Sequence, residues 1–194
     1  MVGASVAKAM IEGGGLTGRI LFGWRAPLEA MRAEVAARHG EPRLMAYAFG
    51  ASVFLTLGPV LAEVIRPAMA VGDERSGWFA ARLLIGLSFL PLGLYASAAV
   101  VRALCLIFGG VGDWAAARLA LFWSALISGP LAVVAHVCGA LTGLSWFGDT
   151  VAGLLWVFWL APALAVTMGF ETRRAYYVLG ALALVSLGAK GVIG

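Results

Sequence analysis

Charged residues divide the chain after Arg43 into long apolar runs. The intervals Arg43 to Arg66, Arg82 to Arg102, Arg118 to Asp149 and Asp149 to Glu171 each enclose one, and a fifth lies between Arg174 and Lys190. The first four hold roughly 20 residues or more, enough for a helix rising about 1.5 Å per residue to cross about 30 Å of hydrocarbon. No strand-like alternation competes with this reading. The pattern predicts an all-α membrane protein, a five-span transmembrane helix bundle with spans at about 44–65, 83–101, 119–141, 150–170 and 175–193. These spans make a single domain, 44–194, preceded by a cytoplasmic N-terminal tail, 1–43.

The tail carries its own pattern. Over Pro27 to His39, Leu28, Met31 and Val35 recur on one helical face, while Glu29 with Arg32 and Glu34 with Arg38 form exposed charge pairs. Pro27 suits a first-turn position and Gly40 a C-cap. An N-terminal amphipathic helix over 27–39 follows, with Leu28, Met31, Arg32, Val35 and Arg38 as its interaction residues. It lies on the inner leaflet or docks on a partner in one reading, and packs against the protein's own loops in the other. Ahead of it, Ile20, Leu21 and Phe22 are too few, and too interrupted by Arg19 and Gly13 to Gly15, to make a signal-peptide core. The first span is expected to do the targeting.

Composition strengthens the membrane reading. With 62% hydrophobic and 12% charged residues in a chain of 194, polar surface is too scarce to cover a water-soluble globule. Cys105 and Cys138 suggest no disulfide framework and read as small buried hydrophobes. The net charge of +4 favours contact with anionic lipids, while its scatter along the chain speaks against a nucleic-acid partner.

Charge also orients the chain. With a cytoplasmic N-terminus, the inner segments hold Lys8, Arg19, Arg25, Arg32, Arg38, Arg43, Arg102, Arg118, Arg173 and Arg174, and the outer ones only Arg66, Arg75, Arg82 and Lys190. The positive-inside rule therefore favours N-in, C-out. Trp78, Trp114 and Trp146, with Tyr47, Tyr176 and Tyr177, fall at span ends as an interfacial belt. Lys190 must snorkel if the fifth span is to hold.

Candidate chemistry inside the spans is sparse. Pro59, Pro91, Pro130 and Pro162 each sit near the middle of one of the first four spans, where proline kinks a helix and frees a carbonyl. Such kinks either mark a solute path or shape packing. Gly139 and Gly143 match a GxxxG helix contact. The intramembrane polar residues are Glu63, Arg82 and His136. Glu63 is positioned to pair with Arg66 or, across the bundle, with Arg82, a structural role more than a proton site. His136 is the one candidate cofactor-binding residue, through a ring nitrogen to a haem, pigment or metal. A lone histidine is more readily explained as a hydrogen-bonded packing residue, and no resident cofactor or metal is expected.

Enzyme signatures fail. Ser128-Gly129 lacks the preceding glycine of an intramembrane serine protease because position 126 is Leu, and His136 lies eight residues along the same helix, about 12 Å away. Gly109, Gly110 and Gly112 lack a following Lys-Ser/Thr and read as a helix terminator and turn, not a phosphate loop.

The order of the Pro27 to Arg32 helix, a first span, a second span ending in Leu106-Ile107-Phe108-Gly109-Gly110-x-Gly112, and Trp114-Ala-Ala-Ala-Arg118-x-x-Leu121-x-Trp123 running into a proline-bearing third span resembles the bacterial Yip1-domain membrane proteins. The resemblance covers roughly residues 25–190 and is most specific from Gly109 to Trp123. It implies five spans in the bacterial inner membrane, with a cytoplasmic N-terminus and a periplasmic C-terminus. The Asp-Leu-Tyr-Gly-Pro motif of the eukaryotic, GTPase-binding relatives is missing, so that function is not carried over. No catalytic residue comes with the family. The expectation is a non-enzymatic scaffold or accessory subunit that binds membrane lipids and other integral membrane proteins. The alternatives are a small-solute transporter using Glu63 and the kinked spans, and a cofactor- or pigment-binding subunit using His136.

Overall fold

Apolar runs carry helices beyond the charges that bound them. The computed structural model describes residues 15–67, 73–169, 171 and 173–180, and every regular element among them is helical. We label these α1 (Gly15–Arg25), α2 (Pro27–Ala36), α3 (Glu41–Ile65), α4 (Asp73–Leu84), a π-helical turn (Ile85–Phe89), α5 (Leu90–Ile107), α6 (Trp114–Thr142) and α7 (Ser145–Met168). Four helices are long and apolar enough to cross a membrane: Glu41–Ile65, the continuous Arg75–Ile107, Trp114–Thr142 and Trp146–Met168. The fifth expected span lies mostly outside the described residues, of which 173–180 are helical. The chain divides into two compact units, Met1–His39 with Ser97–Leu121 and Leu160–Gly194, and Gly40–Ala96 with Phe122–Trp159.

Helices continue past the charges that bound the expected spans. Arg82 lies seven residues into the helix that starts at Arg75, and Asp149 lies within α7, where it had been placed at a span boundary.

In the first unit, α1 and α2 follow each other with only Ala26 between, Pro27 occupying the first position of α2. The apolar face of α2 is partly covered. Met31 is buried, Leu28 is half-buried, and Val35, Arg32 and Arg38 are exposed. Burying one such side chain contributes about 1.5–3 kcal/mol. Glu34, expected to pair with Arg38 at the surface, is instead 1% exposed and held by Arg19 and His39. Gly40 is not the C-cap either. Arg38 takes the left-handed conformation (φ 44°), and Gly40 is extended as the N-cap of α3.

The glycine-rich turn after α5 forms as read. Gly109 adopts φ 84°, and the Gly110 N–H closes onto the Cys105 carbonyl at 2.8 Å, satisfying the helix C-terminus. Gly112 has a different reason to be glycine. A Cβ there would stand 2.7 Å from the Thr167 carbonyl oxygen and 2.5 Å from Met168 Sδ, while the neighbouring Val111 N–H donates to the Met168 carbonyl at 2.9 Å. Asp113 Oδ1 then accepts from the Ala116 N–H at 2.7 Å and starts α6. Arg102 lies over the half-exposed Trp114 ring, 5.7 Å from its centroid.

In the second unit, α3 and α6 meet through glycines that each accept a large neighbour. Built Cβ atoms at Gly129, Gly50 and Gly58 would approach Phe54, Leu126 and His136 within 2.7–2.9 Å. Small residues let membrane helices approach closely enough for dispersion contacts to hold them. Tyr47, expected in an interfacial belt, is buried 5.1 Å from the Trp123 ring, with its hydroxyl accepting from Arg43 Nε at 3.0 Å. Cys105 is buried as expected, whereas Cys138 is exposed.

Of the four prolines, Pro91 coincides with a change of helix type. Its missing N–H deprives Leu87 of an α-helical partner, and the chain immediately before it winds as the π turn, with Leu90 N–H bonded to the Ile85 carbonyl. Gly86 in that turn fits directly against Thr56 of α3, a contact that any Cβ would abolish.

Candidate functional site

The second unit gathers its polar residues where α6 turns into α7. The turn is short: Gly143 has φ 80°, and the Phe147 N–H donates to the Leu144 carbonyl at 3.0 Å. Gly139 presses on the Leu144 carbonyl and the Gly148 nitrogen, 3.0 and 3.2 Å from a built Cβ, so the close contact expected of Gly139 is made to the adjoining helix start. Gly143 lies under the Arg66 guanidinium, which occupies the space of a side chain there.

His136 is held between α3 and α7. Gly58 of α3 and Gly148 of α7 pinch the ring, their built Cβ atoms falling 2.9 Å from Nδ1 and from the His136 Cα respectively. Nδ1 lies 2.8 Å from the Ala132 carbonyl oxygen, which can only accept, so Nδ1 carries a proton. Nε2 lies 3.1 Å from Asp149 Oδ1. That second bond is complete when imidazolium faces carboxylate, or when one proton is shared between them. Asp149 remains 85% exposed by side chain, so the pair is open to the outside on the carboxylate side. Coordination of a metal or haem iron would require Nε2 to give up Asp149. Among the described residues no group of three or more His, Cys, Asp or Glu is arranged to hold a metal ion.

Two adjoining hollows share Pro59, His136 and Asp149. One, of about 370 Å³, is the more polar and is lined also by Glu63, Arg66 and Trp78. The other, of about 320 Å³, is an apolar cleft between Leu55, Leu90, Leu94 and Ala125 with Arg82 and Trp156 on its wall. Both volumes lie in the range of small-ligand sites.

The three intramembrane polar candidates, Glu63, Arg82 and His136, thus line these two hollows. Neither Arg66 nor Arg82 makes a salt bridge among the described residues, and Arg75 Nη2 donates to the Glu63 backbone carbonyl at 3.2 Å. Glu63 itself is buried. Arg82 Nε and Trp156 Nε1 are both buried atoms without a hydrogen-bond partner. Sequence reading found His136, Glu63 and Arg82 but missed Asp149 and Trp156. The available signal was the short α6–α7 turn, which brings positions 136 and 149 to similar depths on adjacent antiparallel helices. Of the tail residues, Met31 is closed off, leaving Arg32, Val35 and Arg38 on the surface.

Comparison with protein-family models, with curated proteins and with solved structures finds no match to this chain.

Proposed function

We propose that this multi-pass membrane protein is a non-enzymatic, Yip1-like scaffold or accessory subunit that binds other integral membrane proteins through its apolar helix faces. The observation that carries the reading is a ridge on α3: Met45, Phe49, Val53 and Leu57 recur every four residues, and all are exposed. Rows at this spacing are the ridges that enter the grooves of a neighbouring helix. In a bilayer such packing, not exclusion from water, drives association. The inserted protein sits in a bacterial inner membrane with its N-terminus in the cytoplasm, as the distribution of Lys and Arg favours. The exposed Arg32, Val35 and Arg38 offer a second contact at the inner surface.

The test is photo-cross-linking in native membranes from Phe49 and Val53, with Leu154 of α7, which is also exposed, as the control position. One membrane protein captured stoichiometrically from α3 and not from Leu154 supports the reading. Lipid adducts alone, or cross-links only to a second copy of this chain, overturn it.

A second reading is favoured by one observation: Glu63, Arg66, His136 and Asp149 line the same hollow. Under this alternative the hollow passes a small solute, and Glu63→Gln abolishes flux into proteoliposomes while leaving the α3 cross-links intact.

A further inference from the structure

The apolar cleft of the second unit has a surplus of donors. Arg82 lies within an apolar helix, is half-buried, and buries its Nε without a hydrogen-bond partner. Trp156, on the facing wall, buries an indole N–H that is equally unanswered. Donors buried without partners are costly, and more so inside a membrane. Both groups can only donate. What would satisfy them is an acceptor, and for the arginine a negatively charged one.

The rest of the cleft says what the acceptor is attached to. Its polar wall, with Arg82, His136 and Asp149, gives way to Leu90, Leu94 and Ala125. Along α6 the lining runs from Ala125 to His136, a rise of about 16 Å at about 1.5 Å per residue. That is about the depth of one leaflet, half of a hydrocarbon core of about 30 Å. An anion at one end and a leaflet's depth of apolar wall below it describe a phospholipid. Asp149, which also lines the cleft, does not cancel the site, because its carboxylate is directed to His136 and is otherwise largely exposed.

We propose that this cleft binds an anionic phospholipid, one acyl chain lying between α5, α6 and α7, with Arg82 meeting the phosphate and the Trp156 N–H an ester oxygen. The site requires only that the protein be embedded in a membrane. It stands whether or not α3 docks on a partner.

Full-length protein, purified in mild detergent and stripped of lipid, is offered dioleoyl phosphatidylglycerol, dioleoyl phosphatidylcholine or oleate, and retained lipid is counted by native mass spectrometry. Phosphatidylglycerol is expected to bind at least about tenfold more tightly than phosphatidylcholine, as a charge-assisted contact implies. Arg82→Met removes that preference and Arg82→Lys restores most of it. Trp156→Phe keeps the ring's bulk, so it tests the N–H even if the arginine variant fails to fold, and it weakens retention severalfold. Equal retention of the two phospholipids overturns the proposal, as does a preference that survives both Arg82→Met and Trp156→Phe. Retention of oleate without phosphatidylglycerol overturns it too, in favour of a free fatty acid.

Discussion

Two clusters of polar side chains, one in each unit, meet the cost of burial in opposite ways. In the first, the Glu34 carboxylate receives Arg19 Nη1 at 3.3 Å and His39 Nε2 at 2.5 Å, and all three side chains are almost wholly buried. In the second, Arg82 and Trp156 keep donors unanswered while His136 and Asp149 answer each other beside them. A buried carboxylate held by side chains of its own chain contributes to keeping that segment in one conformation. The donors left at the cleft are the ones that the lipid proposed above would answer. What distinguishes the two is the Glu34 carboxylate, which lies within ion-pair distance of Arg19.

The comparison breaks most sharply at Glu34. Glu34→Gln leaves the Arg19 cation buried without its carboxylate, and the loss of one partner from such a pair costs about 3–5 kcal/mol. Thermal unfolding in detergent, with proteolysis of the 15–39 segment as a local probe, should show it; an unchanged melting curve would mean that the cluster is dispensable. Next comes the clamp on the open cluster. Gly148→Ala drives a Cβ into the His136 backbone, with an overpacking cost of about 1–3 kcal/mol and loss of the contact to Asp149. A shifted His136 ring resonance, absent in a control Gly153→Ala, checks this.

The third expectation inverts the first. With lipid removed, Arg82→Met leaves stability within about 0.5 kcal/mol of the parent or raises it, since no partner in the chain is orphaned. A loss comparable to that of Glu34→Gln would show that Arg82 is closed by the chain after all. The smallest effect belongs to Asp149→Asn. A pair whose carboxylate is this exposed is worth no more than about 1 kcal/mol, screened further by salt. Chemical denaturation at low and high salt should separate it from the buried cluster, whose stability depends less on ionic strength.

Much of this was legible before any coordinates. The four spanning helices follow from apolar run length, and the Gly109 turn follows from glycine's tolerance of a left-handed backbone. The sequence reading ends spans at Arg82 and Asp149, and the helices continue past both. Glu34 was misread because a carboxylate four residues before Arg38 matches a surface helix pair, and nothing local reveals that Arg19, fifteen positions earlier, reaches it first. At the candidate site, an ionisable residue in an apolar run flags itself, which is how His136, Glu63 and Arg82 stood out. The unanswered N–H of Trp156 has no such signature, because tryptophan in a membrane helix looks the same whether its indole is satisfied or not.

The π turn ahead of Pro91 makes the length of the chain part of the cleft's design. Five residues there occupy what is ordinarily a tighter turn, so the segment behaves as an α-helix that has acquired one residue. Removing one residue between Ile85 and Phe89 would restore ordinary winding and rotate everything on the Arg82 side by about 100° relative to Leu94. The guanidinium would then leave the cleft though no residue lining it had been changed. In evolutionary terms the cleft's charge can be gained or lost by a single-codon insertion or deletion at a position outside its lining.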